Sequence, residues 1–195
     1  MRKGLILLFL ATASRLCAQP PISVPAQSPP LPIPSDEAFI NQVFHTVVDS
    51  SFSHYYLDEQ AHSCSFVKYD YDEWLKYDLQ EDVPIYTLNE LAKNAYFDRK
   101  TCTWQQDQLV NAICIGQKKI DSLLSPLVAH PRSGSIPSNL VFYFSRPVFT
   151  DDGQYAILDM AYRCDNRLCG EGSTCLFRHT SSGWKLIGRR VRWGG

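Results

Sequence analysis

The feature that most constrains this chain lies between Asn139 and Trp193. Short runs of alternating apolar and polar residues flank a cysteine-rich turn, Cys164-Asp-Asn-Arg-Leu-Cys169-Gly-Glu-Gly-Ser-Thr-Cys175. A period of two sends successive side chains to opposite sheet faces, so these runs predict strands. Residues 140–144 are β-branched and aromatic, 147–150 continue them, and Asp151-Asp152-Gly153-Gln154 is a turn with glycine where positive φ is wanted. Residues 155–163 alternate, with Ala156, Leu158, Met160 and Tyr162 on one face. Residues 173–179 return, Ser181-Ser182-Gly183 turns the chain, and 184–193 close it, with a bulge expected at Gly188. Trp184 and Trp193 bracket this last strand, and both are expected to bury much of their rings.

The preceding half reads as helical. Ser35 is an N-cap, Asp36 and Glu37 suit the positive helix end, and Phe39, Ile40, Val43, Phe44, Val47 and Val48 follow at 3,4 spacing, predicting a helix over 36–49. Thr87 with Glu90 and Thr103 with Gln106 form two capping boxes, predicting helices to about 96 and across 109–115. A short helix is expected over 118–124. Helices first and an antiparallel sheet second define an α+β domain, N-terminal helices packed on a C-terminal meander. By analogy the arrangement is a two-layer cystatin-like or nuclear-transport-factor-like cone, with the helices on the concave face.

The N-terminus bounds the location. Met1-Arg2-Lys3 precedes an apolar run of residues 4–11 and small residues, the pattern of a secretory signal over 1–18, too short to span a bilayer. Cleavage is expected after Ala13 or Ala18. Residues 19–35 hold seven prolines (Pro20, Pro21, Pro25, Pro29, Pro30, Pro32 and Pro34) and predict an extended, removable linker. That leaves a single domain over 36–195 in a periplasmic or extracellular setting. The formal charge of the whole chain is only −1, so no strong field draws it to nucleic acid or a membrane.

Six cysteines follow the signal: Cys64, Cys102, Cys114, Cys164, Cys169 and Cys175. An even number in an exported chain favours disulfides. Closure of the hairpin loop by Cys164–Cys169 is preferred to a cross-strand Cys164–Cys175 bridge, and the remaining pairings stay open. Cys102 and Cys114 would lie about 18 Å apart on the expected helix, too far to pair.

The motif Leu168-Cys169-Gly170-Glu171-Gly172, with Cys164 before it and Gly183-Trp184-Lys185 and Trp193 after it, resembles a group of uncharacterised exported bacterial proteins. The resemblance covers roughly the last 55 residues. It implies location and fold, and no activity.

Chemistry-bearing patterns are few. Cys164, Cys169, Cys175 and His179 have the residue types of a three-cysteine, one-histidine zinc finger, with Phe177 placed to stack bases. Along a strand, however, residues 175 and 179 stand about 13 Å apart, beyond the reach of one ion. A Cys169 nucleophile with His179 as base is conceivable but shares its sulfur with the disulfide. His45 and His54 carry no ligand spacing, and Tyr55, Tyr56, Tyr69 and Tyr71 read first as part-buried tyrosines. The sequence thus predicts no catalytic, cofactor or metal residue and points to a binding or structural domain for a protein, peptide or small ligand. The alternatives are a hydrolase with an unrecognised site and the zinc-binding nucleic-acid module.

Overall fold

The computed structural model describes residues 30–48, 54–65, 79–98, 101–125, 140–164 and 169–194. The signal over 1–18, the linker up to residue 29, Tyr69 and Tyr71 lie outside them. Helix α1 (Asp36–Val47) starts where expected: the Ser35 hydroxyl accepts from the Ala38 amide at 3.2 Å, and Asp36 and Glu37 occupy the first turn. Its 3,4 stripe of Phe39, Ile40, Val43 and Phe44 is almost wholly buried. Ahead of it, the Leu31 amide donates to the Asp152 carbonyl at 2.9 Å, so the end of the proline-rich stretch is tied to the 151–154 turn.

The fold is α+β, with a C-terminal meander of β7 (Tyr155–Arg163), β8 (Gly170–Thr180) and β9 (Gly183–Gly194). These strands belong to a larger mixed sheet among the described residues. β5 (Val141–Phe144) adds to β7 antiparallel, and β1 (Tyr55–Asp58) lies parallel to both β5 and β4 (Ala112–Ile115). β6 (Val148–Phe149) pairs with β7 beside the same sheet, while β2 (Gln60–Ala61) and β3 (Cys102–Thr103) form a separate ribbon. The bulge in β9 falls at Ile187, next to Gly188, and a second leaves Arg192 between the Gly172–Trp193 and Ser173–Val191 pairs.

The second expected helix is α2 (Ile85–Phe97), entered three residues early from Pro84 without a side-chain cap. Thr87 is inside it and 2 % exposed, so its hydroxyl caps nothing. The second capping box, Thr103 with Gln106, fails altogether. After β3 the chain makes one 3-10 turn (Gln106–Gln108) and becomes β4, because the Gln106 side chain accepts from the Cys114 amide at 2.6 Å and donates to the Ala112 carbonyl at 2.6 Å, tying the segment into an extended path. The axial argument separating Cys102 from Cys114 falls with that helix. The short helix appears as α3 (Gln117–Leu123).

Helices cover both faces of the sheet, where one covered face was expected. β7 explains why: Ala156, Leu158 and Met160 join the α1 cluster, whereas Ile157 joins Leu176, Ile187 and the Leu88, Leu91 and Ala95 stripe of α2. Alternation between two apolar faces demands two covers. Ile120 of α3 and its C-cap residue Leu124 cover Val141 of β5.

Trp184 is 9 % exposed and meets Phe39 edge-to-face, but Trp193 is 44 % exposed. The expectation that both indoles are buried therefore holds for one. Trp184→Ala is predicted to cost about 3–5 kcal/mol in urea unfolding. Trp193→Ala should cost only about 1 kcal/mol and remain soluble; equal losses at both sites would refute the assignment.

Candidate functional site

Across the face that carries α2 and α3, four residues stand in one register row. Tyr143 of β5 faces Ala161 of β7, Ala161 faces Gly172 of β8, and Gly172 faces Trp193 of β9. Residues directly opposite share a face, so the row is ring, methyl, hydrogen, ring. The outer strands are about 14 Å apart, and the small residues between them form the floor of a trough.

Glycine at 172 is required for this shape. A Cβ there would run into the Trp193 indole, and one at Gly170 would stand 3.1 Å from its far edge and 2.8 Å from the Tyr162 carbonyl. The Gly-x-Gly of the cysteine turn is thus the seat of Trp193. The other wall is fixed by α3 and the Ile115, Ile120, Leu124 and Val141 cluster against which Tyr143 packs. Burial pushes the Tyr143 hydroxyl pKa above its ordinary value, against a smaller opposing effect of Arg163.

Arg163 stands on the same face two residues beyond Ala161. Its guanidinium carbon lies 5.7 Å from the Tyr143 ring centre and 5.9 Å from that of Trp193, within cation–π range of both. Among the described residues it makes no ion pair. On this side a cleft of about 500 Å³ runs between α3 (Gln117, Asp121) and the Cys164–Cys169 pair.

A second cleft, of about 240 Å³, continues past Tyr143 and Trp193 to His62, Ser63 and Ser65. Its base is pinned by Asp159, whose carboxylate accepts from the Ser65 amide and hydroxyl at 2.6 Å each and from the Thr174 hydroxyl. Arg192, on the β9 bulge, donates to that same Thr174 hydroxyl. His62 Nε2 is 3.3 Å from the largely buried Asp58 carboxylate, with its imidazole more than half exposed.

The sequence-singled cysteines separate into groups. Cys164 and Cys169 lie at disulfide distance, Cα atoms 5.6 Å apart, and border the larger cleft. Cys175 is instead buried in the α1 cluster and Cys64 in the α2 cluster, while Cys102 and Cys114 are half-buried thiols against the α1 cluster. Cys175 and His179 lie four residues apart along β8, and His179 packs edge-on against Trp184. That places His179 on neither cleft, and the four zinc-finger candidates on separate supports. Tyr55 is stacked on Phe44 in the core, with centroids 3.8 Å apart. The working residues Tyr143, Arg163, Gly172 and Trp193 were missed as a group, although the alternation in the strands already put each on a definite face.

Burial pushes the Cys175 thiol up to about 12. Because the folded pKa exceeds the unfolded one, the unfolded chain gives up this proton first. The contribution of Cys175 to stability is therefore full below the ordinary thiol range and is lost as pH rises from about 8.5 towards 12. Cys175→Ala should be less stable at pH 7 but show a shallower alkaline decline, by up to about 1.4 kcal/mol per pH unit. Parallel denaturation curves against pH for the two proteins would contradict this. Gly172→Ala, by displacing the indole, is predicted to red-shift Trp193 emission, read as the difference between spectra with and without Trp193→Phe because Trp74, Trp104 and Trp184 also emit. No protein-family model matches the chain, and no curated protein or solved structure matches it.

Proposed function

We propose that this is an exported binding domain whose ligand lies in the trough between Tyr143 and Trp193, with the hairpin beside it stapled by a Cys164–Cys169 disulfide. The observation that carries the reading is the row Tyr143–Ala161–Gly172–Trp193. Among the described residues α2 and α3 lie to either side of this row, and an indole on it is left 44 % exposed. Exposed aromatic rings over a small-residue floor supply contact area at low entropic cost, which suits recognition. The basic and apolar N-terminus and the cysteine staple support export.

The hydrolytic reading has one observation in its favour, the Asp58–His62 pair at the end of the smaller cleft. Of the described serines lining that cleft, Ser63 adjoins His62 in the chain, and the other three are engaged elsewhere. The Ser65 hydroxyl is given to Asp159, Ser145 donates to the Arg146 carbonyl at 2.9 Å, and Ser173 accepts from Arg189 at 3.3 Å. Nε2 of His62 is directed to the carboxylate. Binding is the reading the geometry favours.

Two measurements test it. N-terminal sequencing of protein recovered outside the cytoplasm should find a chain starting at Ser14 or Gln19. Titration with panels of oligosaccharides, peptides and small anions should find a ligand that changes Trp193 emission, with Trp193→Ala weakening its binding at least about tenfold while the thermal midpoint stays within a few degrees. A ligand bound equally well by Trp193→Ala, or steady turnover of one, would overturn the proposal.

A further inference from the structure

Resting on that reading, the geometry points to a ligand class: we propose that the trough binds an acidic oligosaccharide, with Arg163 taking a uronate carboxylate and Trp193 and Tyr143 taking the apolar faces of neighbouring sugar rings. Three features of the trough lead to this class.

The first is the setting of Arg163. Its guanidinium lies over two rings at 5.7 and 5.9 Å. Aromatic rings take up none of its N–H donors as a carboxylate would, so those donors are left for further contact. They form a rigid fork matching two carboxylate oxygens. The position is also served by no described carboxylate, so an incoming anion need not displace one.

The second feature is the direction of the trough. It crosses β5, β7, β8 and β9 on the sheet face and does not follow a strand edge. An extended peptide gains its affinity by adding main-chain hydrogen bonds to an edge, and a sheet face offers none. A sugar ring needs no such pairing. It presents one apolar face and a belt of hydroxyls.

The lining matches that belt. Gln117 and Asp121 of α3 bound one end and Ser63 and Ser65 the other, with Ser145, Ser173 and Arg192 also lining the smaller cleft. Two joined clefts of about 500 and 240 Å³ sharing both aromatic walls accommodate more than one ring. The two ring centres, 5.7 and 5.9 Å from the Arg163 guanidinium carbon, are at most about 12 Å apart, which suits adjoining sugar units of one chain.

The test uses the full mature protein, titrated with trisaccharides of galacturonate, glucuronate and mannuronate and with neutral galactotriose and cellotriose, followed by calorimetry and Trp193 emission. At least one uronate trisaccharide should bind at least about tenfold more tightly than either neutral one, and its affinity should fall as salt is raised from 20 to about 200 mM. Arg163→Gln should remove that preference while leaving neutral sugar binding as it was. Arg163→Lys should recover only part of it, because the ammonium lacks the fork. Equal affinity for uronates and neutral sugars would overturn the carboxylate assignment. Binding of an acidic peptide or inorganic phosphate at Trp193, with no sugar bound, would overturn the saccharide assignment and leave the trough as a binding site. No change at Trp193 with any of these probes, or with the wider panels above, would remove both readings together.

Discussion

The fold depends on the docking of α1 through Phe39. This ring is fully buried and meets Phe149, Phe177 and Trp184 edge-to-face, with centroids 5.1–5.4 Å apart. Those three partners come from β6, β8 and β9, so one side chain ties the helix to both sides of β7. Edge-to-face packing adds to area burial a preferred angle, which fixes the rotation of α1 on the sheet. One turn later Phe44 stacks on Tyr55 and meets Phe142, extending the same contact to β1 and β5. With that face sealed, Ile157, Leu176 and Ile187 are left to the other, where α2 closes over them.

The two faces are closed unequally, and the trough is what results. α2 covers the Ile157 end and α3 covers Val141 of β5, while Tyr143, Ala161, Gly172 and Trp193 fall between. Further along the same face Asp159 secures the 62–65 segment and reaches Arg192 through Thr174, so polar groups support the wall where no described helix does. Two bonds of 2.6 Å from Ser65 to the one Oδ2 of Asp159, with Thr174 on Oδ1, give a fixed geometry, as bonds to a carboxylate do. The open region is consequently held on rigid strands, which is the better support for a site than a loop.

How much of this the sequence shows depends on where the determinants lie. α1 was legible because its stripe, cap and acidic first turn are all local, and the meander because each strand carries its own alternation. β4 was not. Residues 103–115 hold a capping box and a 3,4 pattern of apolar residues, and what makes them extended is pairing with β1 and the bonds from Gln106, contacts that local propensity does not report. The parallel β1–β4 and β1–β5 pairs were hidden for the same reason, since a register between distant segments leaves no local trace. At the site, each of Tyr143, Arg163, Gly172 and Trp193 was visible in its strand. Their row was not, because it requires three registers at once. The Gly-x-Gly motif stood out in the sequence as turn chemistry, whereas its glycines serve the indole above them.

The cysteines connect these points to the proposed location. Only Cys164 and Cys169 are at bonding distance among the described residues, and the other four remain thiols. Outside the cytoplasm an accessible thiolate is oxidised, so free thiols persist there if they stay protonated and covered. Cys175 and Cys64 meet this by burial, Cys175 with its pKa pushed up to about 12. Cys102 and Cys114 are less covered, yet desolvation raises both, and Glu37 of α1 adds to the effect on each. Glu37 is itself held by the Gln105 amide at 3.3 Å. The same helix that seals the core thus also adds a small charge effect to the burial that raises these two thiols, and one staple with four quiet thiols among the described residues is compatible with an oxidising compartment.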